Sequence, residues 1–192
     1  MVRRGSISEA VQNDHQQVRM YYNKIRASLD DQSKTEYRND LVWEIARQLV
    51  AEEMVLFPEL ERKLSGPEGQ GLASQDRKDH AIMKMKLKEI LDLPVTSPEL
   101  HLRFQELMSE FTQYMKKEET IDLPELEQTL TPQDSATMAK SMERTKYLVP
   151  SKGDPNIAKI LPFHTPMGLL DTPMDQLRNV YDSLPVEWVG SA

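Results

Sequence analysis

The chain contains no cysteine, which removes disulfides, thiolate nucleophiles and thiolate metal ligands together. Glycine and aromatic residues are scarce, with seven glycines, four phenylalanines and two tryptophans among 192 residues. So little glycine, with few β-branched runs, favours helix throughout. No apolar run approaches the ~20 residues that a membrane span needs. The opening stretch Met1–Ser8 holds two arginines but nothing like the apolar segment of a signal peptide. Basic excess is missing too: 24 Lys and Arg stand against 31 Asp and Glu, for a net charge of -7. With no basic stripe to displace counterions from phosphate, nucleic acid is excluded as a partner. These absences leave an acidic, soluble domain of ordinary size with room for a real core. A cytoplasmic location without membrane contact is expected, and the oligomeric state carries no signal.

What is present is a repeat. Gln48 to Glu61 reads QLVAEEMVLFPELE, and 66 positions later Tyr114 to Glu127 reads YMKKEETIDLPELE. Glu52-Glu53 recurs as Glu118-Glu119, and Pro58-Glu59-Leu60-Glu61 as Pro124-Glu125-Leu126-Glu127. An Asp-His pair precedes each copy, Asp14-His15 and Asp79-His80, with His15 to Glu52 spanning 37 positions and His80 to Glu118 spanning 38. The unit is a duplicated helical hairpin.

Element by element, a capping box at Ser6 and Glu9 opens a first helix over about residues 8–29. Val11, Val18, Tyr22 and Ile25 recur on one face of it, with His15 on the same stripe. Asp30 to Ser33 breaks it. A second helix is predicted over about 35–64, with Pro58 kinking or breaking it, and Ser65 to Gly69 is a turn. Helix three is expected over about 73–91 and helix four over about 99–130, with Pro98 at its start and Pro124 interrupting it where Pro58 interrupts its counterpart. The fold class is therefore all-α, an up-down-up-down four-helix bundle over residues 1–130. Residues 131–192 form a C-terminal helix–loop–helix extension packed on it. A second capping box at Thr131 opens a fifth helix to about Tyr147, and a third at Thr172 opens a short last helix to about Ser183. Between them, Val149 to Pro173 holds five prolines and two glycines and reads as an extended segment over the bundle. Val186 to Ala192 reads as frayed.

Residues four apart share a helix face, so Gln48 points with Glu52 and Tyr114 with Glu118. In antiparallel hairpins His15 faces the Glu52 level and His80 the Glu118 level. The pseudo-twofold axis then gathers carboxylates and imidazoles in an apolar core. Unpartnered there, each costs several kcal/mol. A cation or mutual His–Glu pairing resolves that cost, and bundle cores hold metals with such residues. Glu53 and Glu119, one position on and about 100° around, are expected at solvent. His101 is expected on the surface, and Tyr21, Tyr22 and Trp43 in core or rim packing. The tail can lay His164 over the bundle mouth.

The chain resembles the hemerythrin-like, HHE cation-binding family, and most closely its fungal members. Trp43-Glu44-Ile45-Ala46-Arg47-Gln48, leading into Glu52-Glu53 and the proline turn, is similar to their Trp-Glu-Leu-Ala-Arg-His segment. The likeness continues through Asp76-Arg77-Lys78-Asp79-His80, Asp122 to Glu127, Glu143-Arg144-Thr145-Lys146, Val149-Pro150 and Pro162-Phe163 to Leu170. The resemblance implies iron, usually as a pair, held in each half by two histidines and a glutamate. By position it keeps His15, Glu52, His80 and Glu118, while the other two histidine positions fall on Gln48 and Tyr114. Gln48 is a poor iron ligand beside imidazole. Tyr114 can bind a ferric ion as phenolate, but a phenol of pKa about 10 serves more readily as donor or acid. Reversible dioxygen carriage is not expected.

Three readings follow. In the first, the chain is an enzyme acting on a small-molecule substrate by non-haem oxidative or related chemistry. His15, Glu52, His80 and Glu118 hold iron, as one ion or weakly as two, with zinc or manganese also suited. Tyr114 or Gln48 then lines the open position. In the second, the cavity is metal-free: Glu52 or Glu118 and a histidine move protons while Tyr114 donates to a developing oxyanion. In the third, it is a cation-binding or iron-sensing module acting on a protein partner, or the cluster is a vestige that binds no cofactor.

Overall fold

The structure, a computed structural model, describes residues 2–64, 67–149 and 163–184, the side chains of residues 67 and 68 excepted. Among the described residues the regular structure is helical. Helix α1 spans Ile7–Ala27, capped by Ser6, whose side chain accepts the Glu9 N–H. Glu9 returns its carboxylate to the Gly5 N–H, one residue earlier than a reciprocal capping box would. Helix α2 spans Asp31–Ala51. The Asp30–Ser33 run expected to break structure in fact starts it: Asp30 Oδ1 accepts the Ser33 N–H at 2.7 Å, so the helix begins four residues early.

The departure from α-geometry expected at each proline takes the form of a π-turn, and the helix continues past it. A π-turn, Glu52–Leu56, follows α2 directly, and α3, Phe57–Lys63, continues from it. The second hairpin repeats this: α4 (Pro67–Asp92), α5 (Pro98–Lys117), a π-turn at Glu118–Asp122, then α6 (Leu123–Thr129). Pro58 and Pro124 each sit two residues past the end of their π-turn. Proline has no N–H and its ring crowds the carbonyl four residues back. A turn closed from i to i+5 relaxes that crowding without ending the helix. Accordingly the Phe57 N–H reaches the Glu52 carbonyl, and the Leu123 N–H the Glu118 carbonyl. Helix α4 opens at Pro67, well before the expected residue 73.

Beyond the bundle, α7 (Pro132–Thr145) carries the reciprocal capping box of Thr131 and Asp134, and a 3₁₀ turn, Lys146–Leu148, follows it. It lies on α1, where Ser135 Oγ accepts the Ile7 N–H at 3.0 Å. A short α8 (Pro166–Leu170) packs on α2 where extended chain was expected, and residues 150–162 of that stretch lie outside the described residues. Helix α9, Met174–Ser183, lacks the expected cap: Thr172 Oγ1 donates instead to the Gly168 carbonyl. Arg178 on α9 donates to the Met54 carbonyl at 3.4 Å, the acceptor that Pro58 leaves without its usual donor. The expectation of fraying at 186–192 also lies outside the described residues.

The core divides in two. One apolar cluster gathers Val18, Leu49, Leu87, Phe104, Leu107 and Phe111 toward the α1–α2 loop end, with α8 and α9 contributing Leu169 and Leu177. The other gathers Val11, Ala51, Phe57, Leu60, Leu123 and Leu126 under Met138 and Met142 of α7. His15, Gln48, Glu52, His80 and Glu118 are all buried, and they fall along the chain where one cluster gives way to the other. A dry polar layer between two apolar ones is what positions the site.

Candidate metal centre

Each histidine is held from both ring nitrogens by one Glu-Glu pair, but the pairing crosses the hairpins. His15 on α1 meets Glu118 through Nε2 at 3.1 Å and Glu119 through Nδ1 at 2.6 Å. His80 on α4 meets Glu52 through Nε2 at 3.0 Å and Glu53 through Nδ1 at 2.9 Å. His15 does stand at the Glu52 level, with ligand atoms of the two within 4.8 Å, but each imidazole makes its hydrogen bonds with the other hairpin's glutamates. In a closed four-helix ring α1 borders α6 as well as α2, and α4 borders α3 as well as α5, so each imidazole has a choice of neighbour.

The placement of Glu53 and Glu119 at solvent is corrected: their side chains are 17% and 25% exposed, and both carboxylates accept an imidazole N–H. The π-turns account for this, because residues on a widened turn rotate less per step than on an α-helix. Successive glutamates thus reach the two nitrogens of one ring. Arg19 donates to Glu119 at 3.1 Å and Lys84 to Glu53 at 3.0 Å. These two cations stand four residues past His15 and His80, so His+4 was the sequence signal for the outer carboxylates.

Gln48 and Tyr114 break the symmetry. Tyr114 Oη donates to Glu52 Oε2 at 2.6 Å and lies 3.0 Å from His80 Nε2. Gln48 Nε2 donates to Glu52 Oε1 at 2.8 Å. Tyr114 therefore serves Glu52 of the other hairpin and not Glu118, four residues along its own helix. Both Glu52 oxygens are satisfied, whereas Glu118 Oε1 and Gln48 Oε1 are buried without a partner.

Titration follows the same asymmetry. Burial opposes ionisation of Glu52, but the His80 hydrogen bond and charge outweigh it and hold Glu52 below its ordinary value. Burial and then the charge of Glu52 push Glu118 well above the usual carboxylate range, despite His15. Burial also opposes protonation of His80, yet Glu52 and Glu53 carry it up to about 9. His15 is raised by Glu118 and Glu52 in the same way, against its own burial. Burial and the nearby carboxylates raise Tyr114 far above an ordinary phenol, so it stays a neutral donor.

His15, Glu52 and Glu118 each offer one ligand atom, and these atoms lie within 4.8 Å of one another. His80, though buried beside them, is tied up by Tyr114, Glu52 and Glu53, and its ring stands 4.8 Å from that of Phe57. His101 and His164 are exposed and join no cluster with these residues. Tyr21, Tyr22 and Trp43 pack partly buried against the first core cluster. Tyr114 forms one wall of a cleft of ≈ 400 Å³ between α4 and α5, flanked by Ile82, Met83, Gln113 and Lys117. No described helix is long and apolar enough to cross a membrane.

A family model described as the hemerythrin HHE cation binding domain matches residues 6–126. An uncharacterized hemerythrin-like protein of Schizosaccharomyces pombe is 35% identical over 179 residues, covering 93% of this chain and 88% of that protein. No solved structure matches the chain significantly.

Proposed function

Because the chain belongs to the hemerythrin HHE cation-binding family, we propose that it holds one metal cation in its bundle core, on His15, Glu52 and Glu118, and presents it to a small-molecule substrate. The observation that carries this is the convergence of those three buried ligand atoms within 4.8 Å, beside a Glu118 oxygen that has no donor. An unpaired buried carboxylate oxygen costs a full desolvation penalty, which a cation removes. The donor set, one imidazole and two carboxylates, suits iron, with zinc or manganese also accommodated. A second ion does not fit: Tyr114 and Gln48 occupy the remaining Glu52 and His80 positions with hydrogen bonds.

Iron held by His15, Glu52 and Glu118 would supply Lewis-acid and one-electron chemistry. The chain's own groups do the rest. Glu119 accepts from His15 Nδ1, which fixes the tautomer that turns Nε2 inward. Gln48 and Tyr114 hold the Glu52 carboxylate in one orientation. Tyr114, walling the α4–α5 cleft on one side and donating its neutral hydroxyl to Glu52 on the other, is the only residue lining that cleft that bonds to this set among the described residues. The apolar clusters on either side exclude water.

Metal analysis of protein made in iron-replete medium tests the reading. We expect one equivalent of metal, lost in His15→Ala, Glu52→Ala and Glu118→Ala and retained in His80→Ala. Two equivalents, or one that survives Glu118→Ala, would overturn it. A second reading, a metal-free proton-transfer pocket, draws on the raised Glu118 carboxyl and the Tyr114 hydroxyl in the same dry layer. Clean apo protein from the same preparation favours that reading.

A further inference from the structure

A second recess lies at the opposite end of the bundle, about 15 Å along α1 from His15, where the α1–α2 and α4–α5 connections meet. Its volume is ≈ 630 Å³, within the range of small-molecule pockets. Tyr22, Ile25, Leu100 and Phe104 form an apolar floor, and the Tyr22 and Phe104 rings stand 6.4 Å apart. Above this floor are Arg26, Lys34 and Arg38 with one acid, Asp31, which Lys34 already faces at 3.6 Å. The lining is therefore net positive in a protein whose net charge is -7. Arg38 reaches the Leu93 carbonyl through Nη1 at 3.0 Å, while its Nε is buried with no hydrogen-bond partner. The Arg26 guanidinium lies 5.8 Å from the Tyr22 ring centroid, so the cationic rim and aromatic floor are continuous.

We infer that this recess is a binding site for an amphipathic carboxylate, its apolar body on Tyr22, Ile25, Leu100 and Phe104 and its carboxylate facing Arg38, Lys34 and Arg26. Apolar floor supplies affinity, and the few convergent cations set orientation and select the sign of charge. A neutral molecule of the same shape forgoes the attraction of Arg26, Lys34 and Arg38, and a cation meets three like charges. The inference is independent of the metal reading, since none of these residues touches the centre at His15.

The test is calorimetric titration of the full chain with octanoate, against 1-octanol and octyltrimethylammonium as neutral and cationic probes. One saturable octanoate equivalent is expected, with a matching shift of the exposed His101 ring resonances at the pocket edge. Lys34→Glu, on a half-exposed side chain, weakens octanoate about tenfold by reversing one facing charge, with an unchanged thermal melt. Octanol binds weaker by a similar factor, and the cation does not bind. Glu118→Ala leaves octanoate binding as it was. No saturable octanoate binding in the millimolar range, equal binding by Lys34→Glu, or loss in Glu118→Ala with retention in Lys34→Glu would each overturn the assignment.

Discussion

Two imidazoles with the same kind of outer carboxylate differ here only in what faces their Nε2. His15 faces Glu118, which has a free oxygen; His80 faces Glu52, whose oxygens Gln48 and Tyr114 already occupy. Outer carboxylates of this type tune ligand orientation by about 10- to 100-fold in metal affinity. Glu119→Ala should therefore weaken metal binding by about that factor, and Glu53→Ala by much less, because Glu53 orients the histidine outside the cation set; competitive titration with a chelating dye measures both. The pH behaviour has a definite sign as well. His80, at about 9 when folded against 6.5 unfolded, stabilises the cation-free protein fully below pH 6.5 and ceases to as pH rises through about 9. The raised His15 and Glu118 act in the same direction, since in each the folded state holds its proton more tightly. Urea midpoints of apo protein should fall between pH 6.5 and 9, His80 contributing a loss of unfolding free energy on the order of 3 kcal/mol, and a rise would contradict the His80 assignment. At this scale the repeat made His15, Glu52, His80 and Glu118 visible in one dimension. Which imidazole faces which carboxylate was not, because that depends on which helices are neighbours.

Helices in this protein are set by local signals at one end and by tertiary contacts at the other. Thr131 with Asp134 and the prolines at 98 and 132 mark starts legible in any window of a few residues. Asp30 was misread because the same side chain favours both a turn and a helix cap, and the amphipathic run beyond it settles which. The prolines at 58 and 124 announced a departure from α-geometry but not its form. A π-turn keeps the glutamate carboxylates inward while later leucines continue on the core face. Docking of α1 on α2 combines shared apolar packing with a buried ion pair: Arg47 Nη2 lies 2.9 Å from Asp14 Oδ2, both side chains 1% exposed, and Arg47 also reaches Glu44 and Thr145. Removing one partner of such a pair leaves an uncompensated charge. Arg47→Ala should cost about 3–5 kcal/mol, and Arg47→Met with Asp14→Asn distinctly less; chemical denaturation compares the two. Equal losses would mean that packing, not charge, ties these helices.

For the molecule as a whole, the candidate cation set draws one ligand from α1 and one from each π-turn, so it links both hairpins across the layer between the two apolar clusters. A cation that binds only this folded arrangement stabilises the entire chain by mass action, about 2.7 kcal/mol at a free concentration 100 times its Kd. Ferrous iron added without oxygen should raise the melting temperature of the wild type and leave that of His15→Ala unmoved; an equal rise in both would place the ion elsewhere. The repeat, the helical periodicity, the absence of cysteine and the scarcity of glycine were enough to establish an all-α bundle with paired acids and imidazoles inside it, since periodicity is a property of neighbours in the chain. The cross-hairpin pairing, the π-turns, the recruitment of Glu53 and Glu119 and the closure of one half by Tyr114 follow instead from how close side chains distant in sequence come once the helices pack. With Glu52 and Glu118 equally buried, the hydrogen bonds and charges around each then decide which of two chemically identical carboxylates keeps its proton.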